Sequence, residues 1–221
     1  MFGIIISFQD FNPIRGIFGS KWVGLENFRA FFGSYYFERL IKNTFMISFL
    51  TLIFSFPCPI ILALLLNEVG NRLYKRTIQT ISYMPYFISL VVIAGLIKIF
   101  TAEGGLVTAI LVNFGFARKD LLADPSLFRS IYIISDIWQN VGFNSIIYLA
   151  ALSSIDPQLY EAAIIDGAGR LRQTWHITLP GISSTIIILL ILRMGNLFNV
   201  GYEKIILLYS PVTYSTADVI S

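Results

Sequence analysis

Few side chains in this 221-residue chain could make or break a covalent bond, since it holds one histidine, His176, and one cysteine, Cys58. Cys58 sits between Pro57 and Pro59 in an apolar run, a setting for a small buried hydrophobe and not a reactive thiol. A lone cysteine excludes an internal disulfide and a cysteine-based zinc site. His176 has no cluster of further ligands to hold a metal. One histidine does not supply a Ser-His-Asp or Cys-His arrangement, and no GxxxxGK[ST] loop is present to cradle phosphate. The chain reads as no enzyme, with no cofactor of its own. Its chemistry is therefore non-covalent. Gln139, Asn140 and Asn144 place amides inside an apolar segment, beside the aromatic faces of Trp138 and Phe143. Asn196 and Asn199 do the same near Gly195 and Gly201. Polar groups inside spans are costly and are candidates for a substrate path, above all where glycines interrupt a helix. The same amides could instead bond neighbouring helices, and Asp136 and Arg193 could pair in a structural role.

The other polar stretch runs from Asp156 to Gly181 between two long apolar runs. Asp156-Pro157 is a helix start, with a side-chain acceptor at the N-cap and a proline where no donor is lost. QLYEAAII favours helix, and Gly167 after Asp166 suits a left-handed C-terminal cap. Ala163 and Gly167, four apart, leave a face with almost no side-chain bulk. A second short helix is expected over Arg170–Ile177, with Leu171, Trp175 and Ile177 towards the protein and Arg172 towards water. Pro180 should open the next apolar segment. The pair would form a rigid knob.

The elements that must position these groups are set by composition. Apolar residues make up 56% of the chain and charged residues 13%, about half of the roughly 25% usual in soluble domains. That points to a membrane protein embedded in the lipid bilayer, and the long apolar runs make it all-α and multi-pass. The net charge of +3 is small and scattered and gives no footprint for nucleic acid. Full spans are expected at 43–66, 78–100, 128–152 and 181–209, with 153–180 as the polar loop and 1–8 as the remnant of an earlier span. At ~1.5 Å per residue each can cross a hydrocarbon core of about 30 Å. Pro57 and Pro59 should kink the first of them. Residues 9–40 read as an aromatic-rich membrane-surface segment or a packed lobe outside the membrane. Even-numbered spans put loops 67–77 and 153–180 on one side, and the dense Arg72, Lys75, Arg76 cluster favours the inside for it.

Glu161-Ala162-Ala163, Asp166-Gly167-Ala168 and Ile177 followed by Leu179-Pro180 resemble the EAA loop, the signature of permease subunits of binding-protein-dependent ABC importers. Over nearly the whole chain, DFNPIRGIFGSKWVGLENF, SYMPYFIS and NVGYEKIILLYSP are similar to the branch that imports oligosaccharides and other carbohydrates. The resemblance implies a six-helix core forming a single transmembrane domain over residues 1–221, with the first helix here a remnant and the last absent. It implies a cytoplasmic 153–180 loop that docks into a cleft on an ATPase. Glu161 would be the polar contact, with Ala162, Ala163 and Gly167 allowing close approach. Implied partners are a second, homologous permease subunit, expected as a heterodimer, two copies of a cytoplasmic ABC ATPase that uses the ATP, an extracellular solute-binding protein and a carbohydrate cargo. A permease of the same superfamily for amino acids or peptides is the nearest alternative. Further off stands an ion-coupled secondary transporter or a membrane scaffold.

Overall fold

The computed structural model describes residues 2–199 and 201–220. After a short helix α1 (Phe2–Ile6), strands β1 (Gln9–Asp10) and β2 (Lys21–Trp22) pair antiparallel, Gln9 opposite Trp22 and Asp10 opposite Lys21. The loop between them carries α2 (Gly16–Gly19), and α3 (Glu26–Phe32) packs behind. Phe8 stacks on Trp22 at 5.7 Å and lies 5.2 Å from Phe28. The amide of Asn27 donates to the carbonyls of Ser7 and Gln9. The aromatic segment is thus a small hairpin-and-helix unit.

Helix α4 (Phe37–Ser55) runs into α5 (Pro57–Glu68), and together they form a 32-residue apolar stretch. It begins six residues before the expected 43. The proline interruption is confined to Phe56, whose φ and ψ of −69° and −42° remain helical. Pro57 is the first residue of α5, where a missing N–H breaks little. The face that α4 buries is Asn43, Thr44, Ile47, Ser48 and Thr51, while Phe45, Phe49, Ile53 and Phe54 are exposed. Polar-inward, apolar-outward packing is the arrangement that lipid rewards and water does not.

The expected 78–100 span is broken, which is a correction. Helix α6 (Arg72–Tyr83) ends in a 3₁₀ turn, Met84–Phe87, and α7 (Leu90–Thr101) restarts with Ser89 as its N-cap. Pro85 lies in the turn and supplies no N–H to the helical ladder. Met84 before it keeps helical angles, and the backbone turns extended at Ile88, with φ −80° and ψ 136°. Helix α8 (Leu106–Asn113), expected as loop, extends α7 into a 24-residue apolar stretch, Leu90–Asn113.

Helix α9 (Pro125–Ser153) is 29 residues long and unbroken. Asp124 caps it by accepting from the Ser126 N–H at 2.9 Å. The hydrogen bonds from Lys119 and Ser126 hold the Asp124 carboxyl well below the usual carboxylate range, at about 2. Two apolar clusters pack on α9. One gathers Ile47, Ile93, Ile97, Phe128, Tyr132, Ile205 and Leu208 near its start. The other gathers Ala63, Tyr148, Leu152 and Ile182 near its end. The polar middle of α9, Asp136 to Asn144, lies between them.

Helix α10 (Pro157–Ile165) follows, then a continuous helical run of α11 (Arg170–Gln173), a π turn over Thr174–Thr178 and α12 (Leu179–Gly181). A 59° bend separates this run from α13 (Ser183–Gly195). The expected 181–209 span is itself divided, since α14 (Tyr202–Leu208) begins seven residues after α13 ends. Helix α15 (Tyr214–Ala217) closes the described chain. Its neighbourhood is tied back by Arg129 donating to Asn43, Asn43 donating to the Ser215 carbonyl, and an Arg39–Asp218 ion pair of 2.6 Å. Among the described residues two helices are long and apolar enough to cross a membrane, or three if the bent pair counts as one. The polar residues of α9 keep it out of that count despite its length.

Gly142 is where α9 meets α6. A Cβ there would lie 2.0 Å from the Ser82 carbonyl oxygen and 2.9 Å from the Tyr83 nitrogen, backbone atoms that cannot rotate away. Gly142→Ala is expected to force the helices apart at a cost of at least about 1–3 kcal/mol. Gly95→Ala, with nothing within 4 Å, is the control. Thermal stability of the purified protein checks the pair, with a drop of several degrees for the first and little change for the second.

Candidate functional site

Two cavities of about 500 and 410 Å³ lie along the polar middle of α9. Both are lined by Asp136, Asn140, Arg193, Asn196 and Asn199. These volumes fall within the range of small-molecule sites. The wall on α9 is a stripe at spacing four, Tyr132, Asp136, Asn140 and Asn144, which one helical face must share. The opposite wall is the end of α13 and the non-helical segment after it, which carries Asn196 and Asn199.

The carboxylate of Asp136 accepts from Ser55 Oγ at 3.0 Å and from Asn140 Nδ2 at 2.9 Å. Asn196 donates to the Leu192 carbonyl at 3.0 Å. Asp136 and Arg193 line the same cavities, but the ion pairs found among the described residues do not join them. The lining offers amides, a carboxylate and a guanidinium, which suits hydrogen bonding to hydroxyl groups.

Of the residues expected on the path, Asn140, Asn144, Asn196 and Asn199 line the larger cavity. Gln139 joins Asn140, Asn196 and Asn199 on the smaller. Trp138 lines neither and is 45% exposed, because its position is turned about 160° from Asn140 on the helix. Phe143 also points elsewhere, stacked on Tyr86 with centroids 3.9 Å apart. The sequence reading missed Ser55, Tyr132, Glu203 and Lys204 as lining residues. The spacing of four from Asp136 would have found Tyr132.

The loop after α9 is built by local rules. Asp156 accepts from the Gln158 N–H at 2.9 Å. At the other end Gly167 has φ +74°, the Ala168 N–H bonds to the Ala163 carbonyl at 2.8 Å and the Gly167 N–H to that of Ile164 at 3.0 Å. This pair of bonds is the Schellman closure. It explains why a glycine must stand four residues after Ala163. Tyr160 Oη meets Thr178 Oγ1 at 3.0 Å, and Gln173 donates to the Ala168 carbonyl at 2.8 Å, so the two helical arms are cross-tied. Arg170 reaches Glu68 at the end of α5.

Glu161, Ala162, Asp166, Gly167 and Pro180 are exposed, and Ala163, Ala168 and Leu179 are half-buried. The second arm departs from expectation. Leu171 and Trp175 are 79% and 68% exposed, while Thr178 is the buried residue. A π turn over Thr174–Thr178 inserts an extra residue and rotates the faces that a 3.6-residue period assigns. Ile164 and Ile165 are exposed beside them, and apolar residues gathered on an outer surface mark contact with something else.

The family described as "Binding-protein-dependent transport system inner membrane component" matches residues 55–202. The chain belongs to this family: it is a permease subunit of a binding-protein-dependent importer, a multi-pass protein of the bacterial plasma membrane, and not an enzyme. It is 47% identical over 220 residues to the polygalacturonan/rhamnogalacturonan transport system permease protein YteP of Bacillus subtilis (strain 168), covering 99% of this chain and 68% of that one. Protein LplB of the same organism is 44% identical, with 99% and 69% covered. The sn-glycerol-3-phosphate permease UgpA of Pectobacterium atrosepticum is 32% identical over 191 residues, with 85% and 62% covered. Among solved structures, a bacterial ABC transporter involved in the import of the acidic polysaccharide alginate superposes with a TM-score of 0.89 at 47% identity, over 98% of this chain and 73% of that one. The alginate transporter in complex with a periplasmic protein bound to an alginate pentasaccharide gives 0.85 at 49% identity, over 89% and 68%.

Tyr160→Phe removes the bond that ties α10 to the π turn while keeping the ring. It is expected to loosen the loop locally by about 0.5–1.5 kcal/mol. Amide hydrogen exchange over residues 157–178 should quicken up to about tenfold, with exchange in α9 unchanged.

Proposed function

We propose that this subunit forms part of the translocation path for an oligosaccharide delivered by a solute-binding protein, and that the 153–180 loop couples the path to ATP hydrolysis on a partner. The partners are a second, homologous permease, two cytoplasmic ATPase subunits and the binding protein. In this reading α9 and the α13–α14 pair cross the membrane with the two apolar helical stretches. Glu161, Ala162, Ala163, Asp166, Gly167, Ala168, Leu179 and Pro180 form the docking face. Asn140, Asn144, Asn196 and Asn199, with Gln139, meet the hydroxyl groups of the cargo.

The observation that carries the proposal is one of continuity. The exposed loop runs without a break in the chain into α13, whose far end lines both cavities. A surface contact and a polar cavity are thereby two ends of one bent rod. The cargo class is supported by the amide-rich lining and by relatives whose names and titles give polysaccharides as cargo.

Gly167→Asp adds bulk and charge at a left-handed position on the docking face. With normal expression, uptake is expected to fall at least about tenfold, because a strained cap and the added bulk and charge both oppose close docking. Normal uptake together with normal substrate-stimulated ATP hydrolysis would defeat the coupling assignment. Asn199→Ala separates path from scaffold: reduced uptake in an assembled complex with intact ATPase coupling marks a cargo contact, and lost assembly marks a structural bond.

A further inference from the structure

Among the described residues, the ammonium of Lys204 is enclosed by protein and has no hydrogen-bond partner. The residue is 4% exposed and forms part of the wall of the 410 Å³ cavity. Its Nζ rests 5.3 Å from the centre of the Tyr132 ring, a cation–π contact that replaces only part of the lost hydration. Three other charged groups line that cavity: Asp136 on α9, Arg193 on α13 and Glu203. Asp136 already accepts from Ser55 and Asn140 and forms no ion pair with Lys204. Glu203 is exposed, and adjacent helical residues do not face each other. A buried charge without a bonded partner is costly to keep. The cavity beside it has room for one.

We propose that Lys204 is a carboxylate-recognising residue of the translocation cavity, so that the cargo is an oligosaccharide of uronic acids and not a neutral sugar. This rests on the oligosaccharide reading above and narrows it to an acidic class. A carboxylate entering the cavity draws the flexible ammonium off the Tyr132 ring and accepts a charge-assisted hydrogen bond. The amides of Asn140, Asn196 and Asn199 are left for hydroxyl groups. The rival role is a standing counter-charge for Asp136, indifferent to the charge of the cargo.

The test uses the whole transporter with its binding protein in liposomes, assayed with trigalacturonate and with its fully methyl-esterified, uncharged form. Lys204→Met is expected to raise KM for the acid about tenfold and leave that for the ester within about twofold, as loss of one charge-assisted bond requires. Lys204→Arg should keep the acid preference. The same binding protein serves every variant, so a change in the acid-to-ester ratio reports on the cavity. An unchanged ratio in Lys204→Met overturns the proposal, and equal losses for both sugars identify the counter-charge role. Should that variant fail to assemble, the wild-type complex without its binding protein is titrated with both sugars by tryptophan fluorescence. Binding of the acid about tenfold tighter is expected; equal affinity, or no binding of either, overturns the assignment. Import of neither sugar by the wild type removes the oligosaccharide reading together with this one. Import of both alike, with the ratio unchanged in Lys204→Met, removes the carboxylate assignment alone.

Discussion

Backbone lies against backbone where α6 crosses α9, and only a residue without a side chain permits it. Gly142 brings the Ser82 carbonyl to the surface of α9, and much else follows from that approach. It fixes the end of α6 and the 3₁₀ turn that follows, which brings Tyr86 flat against Phe143 one residue along α9. It also sets where the chain restarts as α7, whose Ile93 and Ile97 join the cluster at the start of α9. Inside a bilayer every backbone group must find a partner within the protein. At the break over 84–89, Pro85 is buried and Tyr86 stacks on Phe143 of α9, while Met84 and Phe87 stay exposed.

Helix α9 serves as the axis for both ends of the molecule. Its first turns hold Phe128 and Tyr132 against α4, α7 and α14; its last hold Tyr148 and Leu152 against Ala63 and Ile182. The polar middle would be expensive in lipid, and each group there has a partner or a cavity. Asp136 is satisfied from α4 by Ser55 and from its own helix by Asn140. Apolar clusters above and below thus hold open a polar space that neither would tolerate inside itself.

The sequence was most informative where the structure is decided locally. The cap at Asp156, the proline after it and the reversal at Gly167 depend on residues within about three helical turns, and the loop between them is built as they require. The amides at Asn140, Asn144, Asn196 and Asn199 stood out because polarity inside an apolar run is rare, and they share the cavities. Contacts between distant segments were not legible. Ser55 donates to a residue 81 positions away, and nothing near Ser55 announces it. The restart at Leu90 was hidden because apolar residues continue on both sides of the break, so hydropathy sees one span. Trp138 was assigned by neighbourhood to its polar companions, when angle around the helix decides. Leu171 and Trp175 were turned inward by a regular period that the π turn does not obey.

The 59° bend before α13 has a mechanical consequence. Ile182, at the bend, is fully buried among Ala63, Tyr148 and Leu152, so it is held like the pin of a hinge. Helix α13 has 13 residues, about 20 Å at ~1.5 Å each. A tilt of about 10° about that pin would carry its tip about 3 Å, the width of a hydroxyl group, by simple lever geometry. The arms on the two sides of the bend, Arg170–Gly181 and Ser183–Gly195, are of nearly equal length, so a rigid tilt about the pin would move the Asn196 end by about as much as the loop end.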